Sequence, residues 1–371
     1  MPIPVTLNAM SRRKRRLIFY ALMIVFLIAG PLIAAYAFGY AFNFSTARFQ
    51  RTGGIFIKSP TPRLAVFLDG AMVKETGFLS GSTLLPDLLP GTHLVRLEKE
   101  GFRPWSKTVR VAPAEVMELR NILLIPQPVP AATSTAGEMA DAAATSTPAM
   151  PFSLDARGRL TAGRGARVIL ENVHSYAYAP EAGAVFFVDK NGFFAQYETA
   201  SGKITSIGRP GFFLTDERLR FVAGGKFVAI IDPSGGLFLY DESTGTIDPV
   251  TGGVSDAAFD SEENKLLVMQ EHILSILWLA DNTHQPFQKK AVLEEIVSTD
   301  SAVRQARWFY KTDSHVVWRS RNGVFLTEID RRGGASTGEL VAYPVDEIGT
   351  FVSLPDTVFY RRGKNIFRMD L

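Results

Sequence analysis

Cysteine is absent from the 371-residue sequence. Disulfides, thiolate nucleophiles and zinc sites built on sulfur are thereby excluded, and stability has to come from burial. Histidine is scarce, five residues in all. His93, His174, His272, His284 and His315 show no His-x-x-x-His or comparable ligand spacing, so no metal is expected. Nor does the chain contain a G-x-S-x-G nucleophile elbow or a phosphate-cradling G-x-x-x-x-G-K-[ST]. The nearest glycine cluster, Gly224, Gly225 and Lys226, runs into Phe227 and reads as a hairpin turn. The formal net charge is +3, but Arg12, Arg13, Lys14, Arg15 and Arg16 supply five positive charges before residue 17. The rest of the chain is near −2. It offers no basic stripe for phosphate neutralisation, so no nucleic-acid partner is expected.

What is present begins with an apolar run. From Leu17 to Phe42 about 26 residues pass without a charge, where about 20 suffice to cross a 30 Å hydrocarbon layer as a helix. Residues 1–16 then form a basic cytoplasmic tail and residues 17–42 a transmembrane helix whose lipid contacts anchor the chain. The five cations place the N-terminus in the cytoplasm and the bulk of the chain outside. Pro31 inside the span would kink it without forbidding it. A cleaved signal peptide is the competing reading, because Ala35, Tyr36 and Ala37 form a small-x-small site. Both readings export the body.

Residues 54–125 alternate apolar and polar positions between Gly and Pro, as in RLAVFLDG, THLVRLEKEG and WSKTVRVA. This pattern predicts about five short strands in a compact β-sandwich. Residues 126–151 are rich in Ala, Thr, Ser and Pro, with AATST at 131 and again at 143. They contain too few large apolar side chains to offset ordering entropy and are expected to be a flexible linker. Residues 152–371 carry an internal repeat: Asp189, Gly192, Tyr197 and Gly202 recur about 43 positions on as Asp232, Gly235, Tyr240 and Gly245. Apolar strands then follow at spacings of roughly 40 to 50 residues, the signature of propeller blades. Five blades are expected, with six as the alternative. Because the fifth unit ends one strand short, Phe152 to Glu171 is expected to pair into the last blade and close the ring.

At residues 54–125 the residues resemble a known family. The runs Gly54 to Pro60, Ala65 to Gly70 and Leu89 to Val95, with Lys99, Glu100, Gly101, Phe102 and Trp105, are similar to a PEGA domain. The name-giving tetrad falls on Pro62, Arg63, Leu64 and Ala65, so only its outer residues are kept. The resemblance implies an extracytoplasmic β-sandwich accessory module of prokaryotic envelope proteins, without catalytic residues. The C-terminal region resembles propellers of the Tol-associated and tryptophan-aspartate repeat kind through Tyr178 to Phe187, which follows their aromatic-Ser-Pro-Asp-Gly-Lys turn with Ser, Asp and Lys replaced. That resemblance implies the fold alone.

The fold class is therefore all-β behind one N-terminal helix. Carboxylates at the entrances of the inner strands, Asp216, Glu217, Asp256, Asp346 and Glu347, are expected at the mouth of the propeller channel, with Arg304 and Arg307 on the fourth inner strand. They fit a polar binding channel. The expected function is a membrane-anchored binding or scaffolding protein that is not an enzyme, needs no cofactor and takes an envelope protein or glycan as partner. The alternative is an anchored carbohydrate-active hydrolase, in which two carboxyl groups about 5 to 9.5 Å apart serve as acid and base.

Overall fold

The computed structural model describes residues 12–44, 46–129, 131–146, 151–163, 167–208 and 213–371. The first eleven residues of the expected basic tail lie outside them. The apolar run forms α1 (Arg12–Ala37), which has no buried residue. Its length and composition fit a membrane anchor or a signal sequence. The helix corrects the expected span at both ends. It takes in all five cations, and it stops at Ala37 because Gly39 turns the backbone at φ 75°. The Phe38 amide donates to Ala34 O (3.0 Å) and the Gly39 amide to Tyr36 O (2.9 Å), closing the last turn. Phe38 to Phe42 therefore leave the helix, and β1 (Tyr40–Asn43) pairs antiparallel with β2 (Arg48–Arg51).

The chain packs as two compact units. One contains the described residues up to Leu97 together with Thr108–Ile122, and the other Glu98–Lys107 with Leu123–Leu371. After the hairpin come β3 (Gly53–Lys58), β4 (Ala65–Leu68), β5 (Ala71–Glu75), β6 (Ser82–Leu88), β7 (Gly91–Glu98), β8 (Trp105–Val111) and β9 (Val116–Leu119), all in the first unit except Glu98 of β7 and Trp105–Lys107 of β8, which belong to the second. They form two sheets, ordered β6-β3-β9 and β5-β4-β7-β8, with β3 and β9 parallel. Seven strands stand where the alternation predicted about five. In β3, β7 and β8 alternate side chains are buried, as a sheet with one wet face requires: Ile55 and Ile57, Val95 and Leu97, Val109 and Val111.

The second unit contains β10 (Ala132–Ser134), α2 (Ala136–Ser146) and twenty-two further strands. β11 (Phe152–Leu154), β12 (Leu160–Ala162) and β13 (Arg167–Leu170) make a three-stranded meander. Four four-stranded antiparallel meanders come next. They are β14 (Val173–Ala179), β15 (Ala184–Asp189), β16 (Phe194–Glu198) and β17 (Ile204–Ser206); then β18 (Arg220–Ala223), β19 (Phe227–Ile231), β20 (Leu237–Asp241) and β21 (Thr246–Thr251). The third comprises β22 (Val254–Phe259), β23 (Lys265–Gln270), β24 (Ile273–Trp278) and β25 (Leu293–Ser298), and the fourth β26 (Gln305–Trp308), β27 (His315–Arg319), β28 (Val324–Glu328) and β29 (Thr337–Val341). The last sheet has β30 (Glu347–Phe351), β31 (Leu354–Arg362) and β32 (Asn365–Asp370), with β10 as its fourth strand.

The first strand of each meander meets the first strand of the next, from β14 through β18, β22 and β26 to β30. That is a propeller-like arrangement, and it explains the burial pattern. A sheet flanked on both faces has no wet side, so its second strand is a continuous apolar run. Ala184–Val188, Phe227–Ile231 and Leu266–Met269 are buried without interruption. The repeat at about 43 residues has a local cause. Asp189 Oδ1 accepts the amides of Asn191 (2.8 Å) and Phe193 (2.9 Å), and Asp232 Oδ1 those of Ser234 (2.8 Å) and Gly236 (2.8 Å). Gly192 and Gly235, at φ 72° and 86°, complete the same carboxylate-tied hairpin.

Closure of the last sheet differs from expectation. The described residues of Phe152 to Glu171 do not join it, residues 164–166 lying outside the described ones: Asp155 ties the turn between β11 and β12 by accepting the amides of Arg157 and Arg159 (both 2.9 Å), and Leu160 and Leu170 pack with Val173, Val185 and Phe187 of the adjacent sheet. The closing strand is β10, pairing Ala132 with Arg368 and Ser134 with Ile366. It comes from the stretch expected to be an unstructured linker. In the same stretch Thr135 Oγ1 caps α2 by accepting the Glu138 amide (3.1 Å), and Ala142 of α2 packs with Phe359 and Ile366. Glu138 also binds Arg368 Nη1 (2.6 Å) and accepts from Ser134 Oγ (2.7 Å), fastening helix and strand to β32.

Candidate functional site

Polar side chains link the first, inner strands of neighbouring meanders in the second unit. The Leu219 amide donates to Ser175 Oγ (3.1 Å), and Arg220 Nη1 to Ser255 O (2.5 Å). Arg307 Nη1 on β26 donates to Asp256 Oδ2 on β22 (3.0 Å), with both side chains about one-third exposed. Gln305 bridges to β30 in both senses: its Nε2 donates to Ile348 O (2.8 Å) and its Oε1 accepts the Ile348 amide (2.9 Å). Arg319 Nε also donates to Gln305 Oε1 (3.2 Å), and its Nη1 to Val345 O (3.1 Å).

These contacts gather most of the residues singled out from sequence. Asp256 and Arg307 form a pair. Arg304, Arg307, Asp346 and Glu347 all lie within electrostatic reach of Arg319, whose guanidinium is lowered from its ordinary value by burial and by Arg304 and Arg307, against the pull of the two carboxylates. Glu347 accepts from Arg361 Nε (3.1 Å), and Asp346 Oδ2 accepts the Gly363 amide (2.6 Å). Asp216 and Glu217 are exposed in the loop before β18. Neither makes a hydrogen bond or ion pair with the other five residues.

Beside Arg307 and Glu347 lies a recess of about 380 Å³, walled on one side by Met139, Ala140 and Ala143 of α2 and on the other by Gln305 and Ile348 to Phe351. Sequence reasoning missed the helical wall. The signal was there, since Thr135 and Glu138 have the T-x-x-E spacing of a helix start ahead of an alanine-rich stretch. A second polar centre was also missed. Lys107, at an inward position of β8, donates through Nζ to Glu328 Oε1 (2.9 Å) and Asp330 O (2.6 Å). Glu328 borders a cavity of about 240 Å³, together with Arg103, Trp105, His315 and Glu339. Burial, with Lys107 nearby, pushes His315 down to about 3, so the ring is neutral. Its Nδ1 lies 2.9 Å from Thr312 Oγ1. Among the described residues no group of three or more His, Asp or Glu is arranged to hold a metal ion.

Residues 52–123 match the PEGA domain family. No curated protein matches the chain. Among solved structures, the chain is similar to the β-propeller domain of Cps50 (Swd1) from Myceliophteria thermophila at 8% identity and a TM-score of 0.36, covering 51% of this chain and 62% of that one. It is similar to the C-terminal WD40 domain of Sif2 at 16% identity and a TM-score of 0.37, over 72% of this chain and 74% of that one. A third likeness is to the tricorn protease, at 9% identity and a TM-score of 0.43, over 76% of this chain and 33% of that one.

Proposed function

We propose that the protein is a membrane-anchored, extracytoplasmic binding or scaffolding protein of the cell envelope, with the propeller-like unit as its interaction platform and a protein or glycan as partner. The observation that carries this reading is the state of the inner-strand carboxylates. Asp256 is engaged by Arg307, Glu347 by Arg361 and Asp346 by a backbone amide. Charge neutralised in pairs suits reversible recognition by hydrogen bonds on a rigid face. Acid and base catalysis in glycoside cleavage needs two carboxyl groups free to exchange protons across a sugar. The PEGA match supports an accessory role, and the five cations ahead of the apolar helix support an exported body.

The test uses the full chain in native membranes, with a photocrosslinker placed at Met139 on the wall of the recess. Specific adducts with an envelope protein or glycan, lost on Arg307→Met, are expected. Release of reducing sugar from envelope glycans by the purified protein, abolished by Asp256→Asn or Glu347→Gln with the fold intact, would replace this reading with the hydrolase. A cytoplasmic signal from a reporter fused after Leu371 would end the extracytoplasmic assignment.

A further inference from the structure

The hairpin that follows α1 is two-faced. In its register Tyr40 opposes Arg51 and Phe42 opposes Phe49, while Ala41 opposes Gln50 and Asn43 opposes Arg48. Side chains of a ribbon alternate between faces, so one face carries Tyr40, Phe42, Phe49 and Arg51 and the other Ala41, Asn43, Arg48 and Gln50. Phe42 meets both Phe44 and Phe49 edge to face at 5.1 Å. On the polar face Asn43 Nδ2 donates to Gln50 Oε1 (3.3 Å). The aromatic cluster is nevertheless left in the open, with Phe44 88% and Phe49 52% exposed. A lone two-stranded ribbon is at best marginally stable in water, and an uncovered aromatic face adds to that cost.

The hairpin is also fixed in place. The Thr52 amide (2.7 Å) and Thr52 Oγ1 (3.1 Å) both donate to Gly39 O, so the ribbon leaves and returns at the C-terminal end of α1. The uncharged part of that helix, Leu17 to Ala37, is about 32 Å long, close to the thickness of the hydrocarbon core. With Arg16 at one boundary, Gly39 falls at the other. Tyr and Trp are enriched at that level, and amphipathic helices lying there sink an apolar face that carries Phe, Trp and Leu about 5 to 10 Å.

We propose that the β1–β2 hairpin is a membrane-interface foot: it lays Tyr40, Phe42, Phe44 and Phe49 into the outer headgroup layer and sets Arg48 and Arg51 among lipid phosphates. The proposal rests on α1 being retained as a membrane span. A foot of this kind fixes the orientation of the chain as it leaves the bilayer, which a helix alone does not.

The absence of cysteine makes the test direct. Single cysteines are introduced into the full chain at Leu27, Asn43, Phe44, Arg48, Phe49 and Glu242, spin-labelled, and reconstituted in vesicles of phosphatidylethanolamine and phosphatidylglycerol. Collision with oxygen is then compared with collision with a water-soluble nickel chelate. Leu27 reports the span and Glu242 an aqueous surface. The oxygen-to-nickel ratio at 44 and 49 is expected to be severalfold above that at 242, and above that at 43 and 48, which carry the same label on the opposite face. A deep Leu27 with aqueous values at 44 and 49 overturns the foot and leaves the span standing. Equal values on the two faces overturn it as well. An aqueous Leu27, or a chain cut near Ala37, removes the span and with it the proposal.

Discussion

Replacing Lys107 by methionine tests the packing logic of the second unit most sharply. The side chain is 1% exposed and its partner Glu328 5%. Lys107 Nζ lies 2.9 Å from Glu328 Oε1 and 3.9 Å from Asp330 Oδ2, and Glu328 Oε2 is buried with no hydrogen-bond partner among the described residues. Burial raises Glu328 above its ordinary value of 4.5, and the attraction of Lys107 opposes that shift without reversing it. Methionine keeps most of the lysine stem and removes the charge. Breaking a buried pair from one side costs about 3 to 5 kcal/mol, because the remaining charge is stranded.

Glu328 can escape by taking a proton, and that fixes the sign of the pH dependence. Its folded value lies above its unfolded one, so the protonated carboxyl favours the folded state at low pH and this contribution is lost as pH rises through the folded value. The Lys107→Met defect should therefore be larger at pH 8 than at pH 5. Urea unfolding of the full chain in detergent micelles, followed by tryptophan fluorescence, reads the right unit: all four tryptophans, Trp105, Trp278, Trp308 and Trp318, lie in the second. Adding Glu328→Leu should restore most of the loss. A loss below about 1 kcal/mol, the range of an exposed pair, would refute the reasoning. So would equal losses at both pH values, or a double variant no better than the single one.

Three further outcomes are expected. His315 is held neutral by burial down to about 3, so its contribution is full above its unfolded value of 6.5 and is lost as pH falls below it; His315→Gln should flatten the acid side of the same unfolding profile. Deleting residues 132–146 should expose the edge of β32 and the Phe359–Ile366 core, seen as loss of amide-exchange protection at Ile366 to Arg368, and Glu138→Ala should give a weaker form of the same effect. Asp189→Ala and Asp232→Ala should each cost about 1 kcal/mol in urea unfolding, by freeing amides that the carboxylates hold, and the two costs should be similar because the turns are equivalent.

Much of this was legible in the residues. An uncharged run behind five cations announced α1, strict alternation announced the sheets of the first unit, and the Asp189 and Asp232 offsets announced a repeated hairpin whose carboxylate makes the turn. Lys107 was hidden by its type. In WSKTVRV the inward register runs Trp105, Lys107, Val109 and Val111, and alternation assigns a lysine to the core only if a buried partner is known. That partner, Glu328, is more than two hundred residues away.

The closing strand was missed for a different reason. Composition measures how much apolar surface a segment can bury by itself, and residues 126–151 bury little. β10 and α2 need little of their own, because Phe359 and Ile366 supply the core and β32 supplies the hydrogen-bonding edge. Small side chains suit such a position, since Ala136, Ala140 and Ala143 let the helix lie close beside the inner strands and still leave the recess at Arg307 and Glu347 open. A bulkier sequence would have announced itself as structure and filled the space. The segment that resembled a spacer is thus both the seam of the last sheet and a wall of the candidate site, so enlarging Ala140 or Ala143 should fill the recess at little cost to folding, whereas enlarging Ala142, packed with Phe359 and Ile366, should cost stability.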